Sequence, residues 1–290
     1  MASLRAQGIL AALLAAVTFG AVNVAVRHAI EDGLQPLWAV AFSYAAGGLV
    51  LSPWLRKDRL APAERPRMAL VVAAGAVAGP LFLFFGLART AAGTASLVMN
   101  LEMAFTALFA FLFLGERLRG GDLAGVALLA LAALVASLAA GSAEGSTLLG
   151  VLLVGAAALS WAIDNAASTP LAQKHDPRGL IARKTGFGGL IVILAALVLA
   201  GPPGGAPLDW ALAAGAGLVG VAASSVLFYG ALARIGAART TALFATGALW
   251  GVLFATLFLG EAFTPFHAAA AALSGLGIFA LSRGASTTLK

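Results

Sequence analysis

Polar and Gly/Pro-rich breaks divide this chain into ten apolar stretches, each about the length a helix needs to cross a bilayer. They run over 7–26, 35–55, 68–88, 93–114, 121–140, 147–168, 180–200, 209–232, 237–259 and 267–283. Inside hydrocarbon every backbone N–H and C=O must be paired within its own segment, so stretches of this length fold as helices. Composition leaves them no other solvent. The chain of 290 residues is 61% hydrophobic and 10% charged, where a soluble domain carries about 25% charge. The fold class is therefore an all-α polytopic membrane protein, with the lipid bilayer as its main partner. Soluble enzymes and disordered tails are excluded. The first stretch begins like a signal peptide, with Arg5 ahead of it, but no polar mature domain follows. It is expected to be retained as a span.

The basic residues set orientation. With a cytoplasmic N-terminus, sixteen of the eighteen Lys and Arg fall on the cytoplasmic side, from Arg5 through the Arg56–Arg67 cluster to Lys290. Arg27 and Arg89 alone fall outside. Both termini are then cytoplasmic. The net charge of +6 becomes a set of topology markers facing anionic lipid, with no nucleic-acid partner. Trp38, Trp54 and Trp210 stand near stretch ends, where interfacial tryptophans belong.

The chain also repeats itself. Residues 108–116 read LFAFLFLGE and residues 253–261 read LFATLFLGE, eight of nine matching at half the chain length. Phe84-Phe85-Gly86 corresponds to Phe228-Tyr229-Gly230, and Thr18–Asn23 aligns with Ser160–Asn165. The chain thus divides into two halves of five stretches, 1–145 and 146–290. Five is odd, so the second half enters the membrane from the opposite side, and the halves are inverted repeats. That architecture belongs to secondary transporters with a site near the midplane. Two halves already make a complete carrier, so a monomer is expected.

Ten stretches, a five-plus-five repeat and the motifs Phe19-Gly20…Asn23, Leu114-Gly115-Glu116-Arg117-Leu118 and Leu259-Gly260-Glu261 resemble the drug/metabolite transporter superfamily. The nearest branch is the EamA-type exporters, and within it the pattern resembles the bacterial YddG-type amino-acid exporters. The resemblance spans nearly the whole chain. It implies a multi-pass protein of the bacterial cytoplasmic (inner) membrane that exports a small-molecule substrate. It also implies a cavity lined by stretches one, three, four, six, eight and nine, with five and ten packed behind. The family often carries a proline in stretch four. Here that place reads Leu101-Glu102-Met103, so no proline kink is implied.

Two acids, Glu102 and Asp164, lie inside the stretches away from their ends. A charge at that depth faces a cavity or a partner. No Lys or Arg lies deep in any stretch, so neither acid has an evident buried base. Glu102 is a candidate proton-coupling carboxyl or ligand for a substrate amine; the alternative is a protonated acid bonded to backbone. Asp164 lies nearer the cytoplasmic end, where it could instead cap or snorkel. Asn23 and Asn165, related by the repeat, are candidates for helix bridging, a gate or substrate contact. Trp161, Trp250, Phe82, Phe85, Tyr229 and Phe244 could wall a pocket for apolar solutes or cations, or pack against helix and lipid. Met99 and Met103 suit a tolerant pocket. Ser96 and Ser225, with Ser224 and Thr106 beside them, could donate to a carboxylate or bond their own helix. Pro80 is expected to bend stretch three. Glu116 and Glu261 fit a structural or gate-closing role better than substrate contact.

The chain has no cysteine, three histidines, and no P-loop, H-E-x-x-H or G-x-S-x-G motif. No catalytic residue, metal or cofactor is expected, and the chain is not read as an enzyme. The expectation is a secondary active or facilitative transporter exporting amino acids, aromatic or apolar ones, by alternating access. The alternatives are an exporter of hydrophobic organic cations and a non-transporting sensory or structural subunit.

Overall fold

The computed structural model describes residues 2–55, 60–114, 120–140, 146–172, 174–235, 240 and 243–285. Gly115–Leu118 of the first Leu-Gly-Glu motif lie outside the described residues, as do Arg56, Lys57, Arg59, Arg119, Arg239 and Lys290. Among the described residues all regular structure is helical. Eight helical segments are long and apolar enough to cross a membrane: Ala6–Glu31, Pro36–Trp54, Pro62–Leu87, Ala92–Phe109, Gly120–Leu138, Leu148–Ala172, Pro177–Leu199 and Pro207–Ala231. Two shorter apolar helices, Gly247–Phe258 and Pro265–Leu281, follow. The protein is a multi-pass membrane protein. Its outward faces carry large apolar side chains such as Val198, Leu199 and Phe258, each more than 70% exposed within the protein alone, which only lipid can cover.

The helices are α1 (Ala2–Glu31), α2 (Pro36–Leu51), α3 (Arg65–Val72), α4 (Gly79–Leu87), α5 (Ala92–Val98), α6 (Leu101–Leu114) and α7 (Gly120–Ala140). Then come α8 (Leu148–Ala172), α9 (Pro177–Leu199), α10 (Pro207–Gly215), α11 (Ser224–Ile235), α12 (Gly247–Phe258) and α13 (Pro265–Ala285). Proline at the first turn starts α2, α9 and α10, where its missing N–H costs nothing. The first helix runs past the expected end near Val26, because Arg27 is not a loop residue. It is buried, donates to the Leu87 carbonyl and pairs with Glu31 one turn on at 2.5 Å.

Packing follows the repeat. α2 lies along α9, and α7 along α13. α1 packs on α11 and α12, while α8 packs on α4 and α6. Exchanging the two sequence halves maps this set of neighbours onto itself. The approaches are close because glycines line them. Gly48 meets the backbone of Gly186, Gly189 meets that of Ala45, and Gly20 meets Gly247 and Gly251. In lipid, where apolar surface alone does not drive association, such backbone proximity supplies the packing energy.

Two irregularities recur in both halves. Stretches three and eight each contain a π-helical segment, Ala73–Ala78 and Ala216–Ala223. In the first, the Gly79 N–H reaches back five residues to Ala74 O. The π partner of Gly75 O would be Pro80, which has no N–H, so proline and π turn together leave the Gly75 carbonyl over. Stretch four breaks at Met99-Asn100, between α5 and α6, where the bonds shorten to three residues (Asn100 N–H to Leu97 O and Met103 N–H to Asn100 O, both 3.2 Å). The absent proline does not keep this stretch straight. The same i−3 bonding precedes α12, with the Thr246 N–H on Leu243 O at 3.2 Å and the Ala248 N–H on Ala245 O at 3.3 Å.

Candidate functional site

A cavity of about 100 Å³ opens where α1, α2, α4, α6, α8, α9 and α11 converge with the second π segment. It is lined by Phe19, Val22, Ser43, Tyr44, Leu83, Phe84, Glu102, Trp161, Asp164, Asn165, Lys184, Gly220, Ser224, Ser225, Phe228, Tyr229 and Phe244, among others. Space of that order holds several waters, each needing at least about 10–15 Å³.

Its charge is concentrated in one pair. Asp164 lies eight residues from the Ala172 end of α8 and Lys184 seven residues inside α9, each about 10–12 Å along its helix at 1.5 Å per residue. Their side chains form an ion pair and are 4% and 17% exposed. This corrects the expectation that neither intramembrane acid has a base nearby. The charge pattern places Lys184 with the cytoplasmic residues, but Pro177 starts α9 early enough to carry it into the bundle. Asp164 Oδ1 is buried with no hydrogen-bond partner among the described residues. A Cβ on Gly75 would overlap the Asp164 carboxyl, so glycine there makes room for the acid.

The Gly75 carbonyl does not stay unpaired. Trp161 Nε1 donates to it at 3.0 Å and the Tyr44 hydroxyl at 3.2 Å. The π turn thus orients two cavity side chains from two other helices. Glu102, one residue into α6, accepts from Asn165 Nδ2 at 2.7 Å. The remaining wall is a run of touching rings. Trp161 meets Phe19 edge-on at 6.0 Å, Phe19 meets Phe244 at 5.2 Å, Phe244 meets Phe228 at 4.9 Å and Phe228 meets Tyr229 at 6.1 Å.

Of the residues singled out from sequence, Glu102, Trp161, Asp164, Asn165, Ser224, Ser225, Tyr229 and Phe244 line this cavity. Seven others lie elsewhere. Asn23 is buried and donates to Ser96 Oγ at 2.8 Å, while Ser96 donates to its own helix at Ala92 O. Met99 belongs to the main core, and Met103 packs on the cluster of Ala104, Leu129 and Leu281 facing α7 and α13. Phe82 and Trp250 are each 37% exposed on the outer surface. Phe85 lies under the Arg89 guanidinium, 6.0 Å from ring centroid to Cζ. Sequence reasoning missed Lys184, Tyr44, Phe19, Ser43 and Phe228. The usable signal for Lys184 was its place after Pro177, a residue that starts helices. Tyr44 gave none, since its role depends on a carbonyl from another helix.

The two asparagines divide the broken stretch between them. Asn23 holds α5 through Ser96, and Asn165 holds α6 through Glu102. At one end of the bundle, Gly260 adopts φ +67°, a conformation that favours glycine, and turns the chain after α12. Glu261 then accepts from the N–H groups of Ala92 at 2.7 Å and Gly93 at 2.9 Å, closing the start of α5. The Leu-Gly-Glu motif therefore has a physical content: Leu259 packs on the core, glycine turns, and glutamate ties α12 to α5. At the opposite end, near His175 and Glu64 (3.0 Å apart), a wider depression of about 540 Å³ is lined by Gln7, Asp176, Arg178 and Arg234.

Comparison with known proteins agrees on class. The model of the EamA-like transporter family matches residues 6–138 and again 148–283. A protein of Methanothermobacter thermautotrophicus named as an uncharacterized transporter is 28% identical over 301 residues, covering 96% of this chain and 86% of its own. A probable terminal-alkyne amino-acid exporter of Streptantibioticus cattleyicolor is 29% identical over 288 residues, covering 96% and 94%. A solved crystal structure superposes with a TM-score of 0.66 at 20% identity, over 97% of this chain and 96% of the other, which establishes the fold alone.

Proposed function

Because the chain belongs to the EamA-like transporter family, we propose that it exports amino acids with aromatic or apolar side chains by alternating access. The observation that carries this reading is the cavity itself: a buried acid–base pair inside a wall of aromatic rings. Rings suit an apolar side chain, and a paired acid and base suit a solute that bears both charges. The Streptantibioticus relative, named as an amino-acid exporter, supports the same substrate class.

The carrier consists of ten spans in two inverted halves, 1–145 and 146–290, with both termini cytoplasmic in a bacterial inner membrane, and it works as a monomer. The packing that survives exchange of the halves, and the π segments and breaks at matching places, support this arrangement. Two equivalent packings of nearly equal energy are what alternation requires. The Glu261 tie closes the external end, and the depression near His175 is the cytoplasmic entrance. Glu102 is the coupling carboxyl, and protonation would weaken the charge-assisted bond from Asn165 and with it the hold on α6.

The test is uptake of labelled phenylalanine into proteoliposomes holding only this chain. Saturable uptake without a gradient is expected. An imposed pH gradient should raise accumulation, and Glu102→Gln should abolish that gain. A Glu102→Gln protein that still responds fully to the gradient would remove Glu102 from coupling. Two carboxyls face one ammonium in the cavity, which favours a second reading, export of hydrophobic organic cations. Uptake of such a cation with exclusion of every amino acid would establish it instead.

A further inference from the structure

We propose that Asp164 and Lys184 form a clamp for zwitterions, an ion pair that the substrate opens and that closes again behind it. The inference rests on the amino-acid reading above and specifies how that site chooses. An incoming α-ammonium takes Asp164, which lines the cavity and whose Oδ1 has no partner among the described residues. The α-carboxylate takes the Lys184 ammonium as it leaves Oδ2. Charges are conserved at each stage, because one ion pair becomes two and then one again. No charge is left alone in the bundle interior, where an unpaired ion is far more costly than a paired one.

The surroundings fit this exchange. The acid is fixed, with its carboxyl seated against the Cα of Gly75, where no Cβ is present. The base is the movable partner, on a flexible four-carbon stem that reaches the cavity. Tyr44 and Tyr229 line the same cavity as Lys184. The aromatic run from Trp161 to Phe228 starts one helical turn from Asp164 and lies ready for the side chain. A plain amine would satisfy Asp164 but strand Lys184, and a plain carboxylate would do the reverse. Selection then comes from the partner each wrong solute leaves unpaired, which discriminates far more strongly than the loss of an apolar contact.

The experiment uses the full chain in proteoliposomes and three labelled compounds with the same phenyl group: phenylalanine, phenethylamine and 3-phenylpropionate. The wild type should favour phenylalanine over each analogue by about 100-fold or more. Lys184→Gln should reverse the order in favour of phenethylamine, and Asp164→Asn in favour of 3-phenylpropionate. The double variant Asp164→Asn/Lys184→Gln removes both members of the pair together, so neither is left without its partner, and keeps the test valid should either single variant fail to fold. It should lose the preference, bringing the three within about tenfold of one another. A double variant that still takes phenylalanine and still excludes both analogues would overturn the clamp while leaving the amino-acid reading intact. A wild type that moves none of the three would overturn both.

Discussion

The two halves build the same corner twice and fill it differently. Gly75 abuts Asp164, and Gly220 in the other half abuts Val22, the residue that aligns with Asp164 between stretches one and six. Trp161 in one corner matches Phe19 in the other, and both corners sit at a π-helical segment. One corner holds a carboxylate paired with Lys184, while the other is apolar. The backbone is doubled and the charge is single. In the proposed carrier, the pseudo-symmetric scaffold would provide two access states and the asymmetric site one binding orientation.

The largest expected effect comes from making the charged corner copy the apolar one. Asp164→Val strands Lys184 and should cost about 3–5 kcal/mol, read as a fall in thermal stability of the purified chain in detergent. Val22→Ala removes two methyl groups from the other corner and should cost less, about 1–3 kcal/mol. Equal losses would end the claim that the corners differ in kind. Next come the glycines. Gly75→Ala and Gly220→Ala both overfill a close approach and should each cost about 1–3 kcal/mol. Uptake separates them, since displacement of the Asp164 carboxyl relaxes the preference for phenylalanine over phenethylamine and 3-phenylpropionate, whereas displacement of Val22 leaves that preference in place.

Glu261→Gln should cost about 1.5–3 kcal/mol of the externally closed state, because it removes the charge from two hydrogen bonds. A probe of cavity exposure should then react faster from outside, and Glu116→Gln should shift exposure toward the cytoplasm. Shifts of the same sign in both variants would break the expectation that the two Leu-Gly-Glu motifs close opposite ends. Smallest is Trp161→Phe, which copies Phe19. It removes one donor to Gly75 O while Tyr44 retains the other, for about 1 kcal/mol by thermal unfolding.

Helices were legible because lipid makes length and apolarity decisive, and the repeat because LFAFLFLGE and LFATLFLGE still match. The break at Met99-Asn100 was not, since it needs no proline and is held by Asn23 and Asn165 from other helices. Periodicity shows one helix at a time. Glu102, Asp164 and Asn165 could be found because polarity at depth is rare. Lys184 was hidden by an error of a few residues in a helix start, enough to move a lysine from interface to interior. Phe82 and Trp250 drew notice as aromatics within stretches, but an apolar stretch reads alike on its lipid and cavity faces.

The central claim is one cavity reached in turn from both sides of the membrane. The chain has no cysteine of its own, so a single Ser225→Cys places a unique thiol in that cavity. It would be treated with a membrane-impermeant maleimide in right-side-out and in inverted vesicles, with and without saturating phenylalanine. The account predicts labelling in both preparations, slowed in both by phenylalanine. Labelling confined to one face under every condition would contradict it.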